Sequence, residues 1–384
     1  MKIKVINYID ISIMLILMAI PFSYFIFLGF RVFPFLVLLG YFFILLNLKK
    51  VAINYNFIFY IFMVFIVFAM CFYTQDFFSF FSILFFFLIA YWPLFVEKNK
   101  INFSSFSRFV HLYIFFGALM GGGVIIQYFL YTNWGLVIGN VGEFSERIGF
   151  GFIWTDYSFL SLYFTSIIPL VGYLKNTGNL FKVLYILFFL MVSLITTART
   201  GFYAFVVFFI LVSIFILFNK IILSGRFSKK NIIIGFVSIF PLSLFLFNFY
   251  TINKDSRIFS LDSSGRINDY IVALDFFKAN MWLGSFYSNE IYRDNVTLVP
   301  HNLFIYNLVL GGVVFFCVFL LWLISILAHF LPLRSNYIIY SLIICLIGFQ
   351  FVPAVFTAYF FAFLISLGFY ELRLKKIFNS EIKI

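Results

Sequence analysis

A chain of 384 residues would give two or three soluble domains at about 150 residues each. Composition excludes that: 64% of the residues are hydrophobic and only 10% charged, too few charges to cover soluble surfaces. With a mean hydropathy of +1.11 the chain reads as an all-α polytopic integral membrane protein, one membrane domain over residues 1–384. The net charge of +12 raises the question of nucleic acid, which the distribution of the charges answers below.

A helix crossing about 30 Å of hydrocarbon needs roughly 20 apolar residues. That ruler predicts about twelve transmembrane helices, near 8–28, 32–48, 54–73, 77–96, 109–131, 157–174, 181–198, 200–219, 232–250, 302–329, 337–352 and 354–371. Lys2 and Lys4 ahead of the first run, with no clear small-residue cleavage site and more spans to follow, predict an uncleaved signal anchor. With the N-terminus inside, the basic residues on the outer side are Arg31, Arg147, Arg199, Lys254, Arg257, Arg266, Lys278 and Arg293. The other 18 of the 26 Lys and Arg lie inside, as the positive-inside rule requires. The positive charge is therefore topological, both termini are expected in the cytoplasm, and no nucleic-acid partner is expected. Cys71, Cys317 and Cys345 all sit within apolar runs, which predicts packing roles and no metal site.

Two outer loops exceed what a connection needs, a smaller one at 132–156 and a large one at 251–301. In the large loop Ile267, Tyr270, Ile271, Leu274 and Phe277 recur at helical spacing. They predict an amphipathic helix against the bundle, capped by Ser263 or Ser264 and ended near Gly284. Arg266 falls in its first turn, where a cation opposes the helix dipole but a phosphate would be held well. Arg199 interrupts two apolar runs in TTARTGF, and an ionisable group there reads either as snorkelling to the interface or as facing a water-filled outer cavity. His301 stands in VPHNLF where the large loop re-enters the membrane, and imidazole is a usable proton acceptor at neutral pH. Asn302 beside it reads as a helix cap or a partner for a sugar hydroxyl. The cytoplasmic loops are short, and no phosphate-cradling P-loop is present.

TARTGF at a span end resembles the S/T-R-T/S-G/A signature of the bacterial O-antigen polymerase and ligase superfamily. SSGRINDYIVALDFFKANMWLGSFYS resembles the outer loop that follows it there. PHNLFIYNLVLGGVVFFCVFLLW resembles that family's entry into the next span. The resemblance covers about 190–325; the stretch from Asn280 to Gly284 lacks the family's usual proline, and Ala198 stands where Ser is frequent.

The resemblance implies a metal- and nucleotide-independent glycosyltransferase of the bacterial inner membrane, with no cofactor and a periplasmic active site. Its donor would be an undecaprenyl-pyrophosphate-linked oligosaccharide. Membrane lipid and a chain-length regulator protein would be its other partners. In that reading Arg199 and Arg266 hold the pyrophosphate, and His301 accepts or orients the acceptor hydroxyl proton. Arg257, Arg293, Asn302, Asp269 and Arg147 serve substrate binding. Polymerase is favoured over ligase. A flippase, the rival of another class, would carry charges at mid-span depth, where this chain has almost none.

Overall fold

The computed structural model describes residues 8–27, 30–46, 48, 51–144, 147–175, 177–224, 266–296, 299–333 and 337–381. The expected span at 232–250, the loop residues up to Gly265 with the predicted Ser263 or Ser264 cap, and Arg257 lie outside them. The described chain is mostly helical. In chain order the helices are α1 (Tyr8–Ala19), α2 (Val32–Leu45), α3 (Tyr55–Thr74), α4 (Phe78–Tyr91), α5 (Phe103–Trp134), α6 (Tyr157–Ile167), α7 (Asn179–Ile195) and α8 (Arg199–Ser224). They continue with α9 (Arg266–Ala279), α10 (Asn289–Asn295), α11 (Leu303–Phe330), α12 (Tyr337–Gly348) and α13 (Tyr359–Glu381).

Among the described residues, four segments are long and apolar enough to cross a membrane: Tyr55–Thr74, Phe78–Phe95, Phe103–Trp134 and Leu303–Phe330. Shorter apolar helices occupy six of the other segments where spans were expected, and the last expected span falls on the 23-residue α13, so helix lengths alone support a membrane protein at coarser detail than twelve spans. Proline accounts for several of the short ones. The first helix stops at Ala19, ahead of Pro21 rather than near residue 28, because proline has no N–H to continue the ladder. The Pro21 carbonyl instead accepts from Trp154 Nε1 at 2.7 Å. Pro93 and Pro169 likewise convert the ends of α4 and α6 into short 3-10 turns.

Two antiparallel hairpins depart from the expected all-helical pattern. β1 (Ile26–Phe27) pairs with β2 (Phe30–Arg31), and β3 (Asn140–Phe144) pairs with β4 (Arg147–Phe152). The second fills the predicted 132–156 loop and is held to α5 by one side chain. Gln127 Oε1 accepts from the Phe152 N–H at 2.8 Å, and its Nε2 donates to the Ile138 carbonyl at 2.5 Å. A buried amide with both ends satisfied fixes the hairpin's position on the helix.

The core is aromatic. Tyr60, Phe86, Phe315, Phe319, Trp322 and Phe356 form a cluster of edge-on, tilted and stacked rings, and Trp322 Nε1 donates to the Tyr91 hydroxyl at 2.8 Å. At one end of the bundle the basic residues meet carbonyls and rings. Arg373 donates to the Pro93 and Val96 carbonyls, Lys375 to Pro332, and Lys175 lies over the Phe103 ring. Arg108 pairs with Asp10 at 3.0 Å.

Candidate functional site

The opposite end of the bundle gathers the three singled-out segments. At Thr197 the chain takes a left-handed conformation (φ 57°), which turns α7 into α8 with almost no loop. Thr197 Oγ1 donates to the Ile148 carbonyl of β4 at 2.9 Å, tying this turn to the hairpin strand that begins with Arg147. Arg199 is the first residue of α8, half-buried, and its charge is felt by Tyr203 one turn on. Gly201 lets α8 lie against α6. A Cβ there would sit 2.2 Å from the Ser161 carbonyl oxygen, and the Gly201 N–H instead donates to Ser161 Oγ at 3.2 Å.

From α6 a chain of contacts leads to His301. Phe159, in the first turn of α6, packs edge-on against Phe349 at the end of α12. The Phe349 carbonyl accepts from the Leu303 N–H at 2.9 Å, and Gln350 Oε1 accepts from Asn302 Nδ2 at 3.1 Å. Asn302 Oδ1 accepts from the N–H groups of Phe304 and Ile305, so this side chain is the N-cap of α11. Its two ends are thereby engaged within the protein, which places the cap half of its prediction in the fold. His301, one residue earlier, is exposed, and its carbonyl accepts from the Tyr270 hydroxyl at 3.2 Å. Tyr270 lies in the second turn of α9, the helix that starts at Arg266.

Asp269 and Arg293 fall around the same helices. Asp269 is half-buried in the first turn of α9. Tyr292 on α10 is fully buried, packs edge-on against Phe276, and its hydroxyl has no hydrogen-bond partner among the described residues. Burial first and the Asp269 charge second push this phenol up to about 12. Arg293 is exposed in the last turn of α10, and its charge reaches Tyr306 on α11. Tyr306 donates to Asn289 Oδ1 at 3.3 Å, while Ser288 donates to Asp76 Oδ2 at 3.1 Å and so ties α10 to the α3–α4 connection.

The predicted apolar face of α9 needs correction. Ala273 is buried and Phe276 and Phe277 half-buried, whereas Ile271 and Leu274 are exposed. The helix runs alongside the first turns of α11, so its contact face is set by that neighbour. It ends at Ala279, and Gly284 belongs to the turn beyond. That turn docks on a break in α11. At Gly312 the helix backbone leaves helical geometry (φ 61°, ψ −171°). The carbonyls of Val309 and Leu310 accept from Ser285 and Tyr287, and the N–H groups of Val313 and Val314 donate to Met281 and Trp282. A Cβ on Gly312 would lie 2.2 Å from the Trp282 oxygen, and one on Gly284 2.3 Å from the Val309 oxygen. Both glycines are therefore required by a backbone-to-backbone joint.

Sequence spacing gave Tyr270 only a place on an apolar face, not its bond to His301, and did not single out Tyr292 or Asp156. Asp156 is the N-cap of α6, accepting from the Phe159 N–H at 2.9 Å, and burial holds its carboxyl above the usual carboxylate range. Only an Asp immediately ahead of an apolar run signalled it. No protein-family model matches the chain, and no curated protein matches it either.

Proposed function

We propose that the chain is an O-antigen polymerase of the bacterial inner membrane. It transfers a glycan from undecaprenyl pyrophosphate to an acceptor sugar hydroxyl on the periplasmic side, with about twelve spans and both termini cytoplasmic. One observation carries the reading: α8, which Arg199 opens, and α9, whose described residues begin at Arg266, present these ends at the same end of the bundle. A helix start offers free N–H groups and a partial positive charge, and an arginine placed there adds a fork suited to phosphate oxygens. Two such ends beside an exposed histidine suit a reaction whose leaving group gains negative charge.

In the reaction the acceptor oxygen forms a bond to the anomeric carbon. The bond from that carbon to the phosphate oxygen breaks, and undecaprenyl pyrophosphate departs with the electron pair. The hydroxyl proton passes to His301. The cations lower the barrier by stabilising the departing diphosphate.

A lipopolysaccharide gel from a strain lacking the protein tests this. A core carrying a single repeat unit means polymerase; a bare core means ligase or flippase. A reporter fused near residue 280 that reads cytoplasmic would overturn the topology and the site together.

A further inference from the structure

Helix α11 has 28 residues and so covers about 42 Å, roughly 12 Å more than a hydrocarbon core. The excess lies before the break. From Gly312 to Phe330 the helix covers about 28 Å, close to the thickness of that core. Exposure changes at the same point. Val314, Cys317, Leu321, Ile324 and Ala328 form an exposed stripe at spacings of three and four, whereas from Ile305 to Val313 the helix is enclosed by protein. Enclosure there comes partly from α9 and the turn after it. Exposed backbone at membrane depth is tolerated only where protein satisfies it, and the joint at Gly312 does so for this turn.

The apolar surface does not stop at the break; it passes to the turn. Trp282 is 69% exposed, Met281 46% and Leu283 39%. The Trp282 carbonyl accepts from the Val314 N–H, the first residue of the stripe. Indole, apolar with one polar N–H, is suited to the boundary between headgroups and acyl chains.

We propose that Met281, Trp282 and Leu283 form an interfacial anchor that inserts into the lipid leaflet at the level of Gly312, and that this anchor holds α9, with Arg266 at its start, above the lipid surface. The occupant of the patch is bilayer lipid, since the patch continues the stripe of a membrane-crossing helix. The inference rests on α11 crossing the bilayer and not on any transferase activity.

The test is spin-label accessibility in phosphatidylcholine nanodiscs, in full-length protein with Cys317→Ser to remove the exposed native thiol. Single cysteines replace Trp282, Ile324 and Glu290. Oxygen, which concentrates in lipid, should collide with the label at 282 several-fold more effectively relative to a water-soluble nickel chelate than it does at 290. The value at 282 should fall between those at 290 and 324. A label at 282 that matches 290 places the turn in water and overturns the anchor. A label shielded from both reagents means protein covers the patch and overturns it as well. A label at 324 without lipid exposure removes the spanning of α11 and the anchor with it. If Trp282→Cys does not fold, Leu283→Cys carries the same comparison. None of these outcomes depends on polymer formation.

Discussion

The Tyr270 hydroxyl donates to the carbonyl of His301 at 3.2 Å across 31 positions of sequence. This bond ties the helix that starts at Arg266 to the residue just before the cap of α11. Tyr270→Phe removes it while keeping the ring. A neutral hydrogen bond contributes about 1 kcal/mol, so about a fivefold fall in transfer rate is expected, with the thermal midpoint nearly unchanged. A change in stability with no change in rate would show that the bond holds the fold and not the site.

Arg199→Ala and Arg266→Ala should each reduce transfer severely while leaving the protein in the membrane. Losing a charge-assisted contact to a departing pyrophosphate costs about 2–4 kcal/mol, or roughly 30- to 1,000-fold in rate. Lysine should rescue only in part, since the bidentate fork is lost. Normal polymer banding in both alanine variants would exclude a pyrophosphate site at these helix starts.

His301→Ala should slow transfer by about 10²–10⁴-fold without weakening donor binding, because its proposed partner is the acceptor hydroxyl. Arg199→Ala should weaken donor binding instead. Binding of purified protein to lipid-linked donor, measured beside single-turnover transfer, separates the two. Equal loss of donor affinity in both variants would refute the role given to His301 and make Asp269 the next carboxylate to test. Near-full activity in His301→Asn would reduce it to a structural residue.

Gly312→Ala should lower the thermal midpoint in detergent. The left-handed backbone costs a non-glycine residue about 1–3 kcal/mol, and the added Cβ meets the Trp282 carbonyl as well. Gly122, in the middle of α5, has nothing within 4 Å of the equivalent position. Gly122→Ala should therefore be neutral or slightly stabilising. Equal effects of the two substitutions would mean that the joint between α11 and the 281–287 turn carries no stability.

Asp156 gives a pH test. Burial raises its carboxyl in the folded state, so this group favours folding below the ordinary aspartate value of about 4 and loses that contribution as pH rises through its folded value. Asp156→Asn keeps an acceptor for the Phe159 N–H and removes the buried charge. Its thermal midpoint should exceed the parent's at pH 8, with the gap closing as pH falls toward 4. A gap that widens on acidification would show that the ionised carboxylate stabilises the fold.

Most of the helical segments were legible because hydrophobic runs report burial or lipid contact directly. Arg199, Arg266 and His301 were legible as residues because a charge or imidazole beside an apolar run needs a reason. Arg266 in a first turn and His301 ahead of a cap were legible as well, whereas the left-handed turn at Thr197 was not. The hairpin of 140–152 was missed because its clamp, Gln127, is a polar residue inside an apolar run whose partners lie 11 and 25 positions away.

Composition by itself determined that this chain is built mostly of apolar helices suited to a membrane, since that follows from the free energy of moving side chains between water and an apolar phase, whatever the packing. Tertiary structure alone decided which face of α9 is covered, because Ala273 and Phe276 meet neighbours that sequence spacing does not reveal. It alone decided that Gly284 and Gly312 make one joint, because each is needed only where the other's backbone passes within contact distance. It also decided that the segments around Arg199, Arg266 and His301 share one end of the bundle, because that proximity runs through Ser161, Phe159, Phe349 and Tyr270, links made by side chains and backbones far apart in the chain.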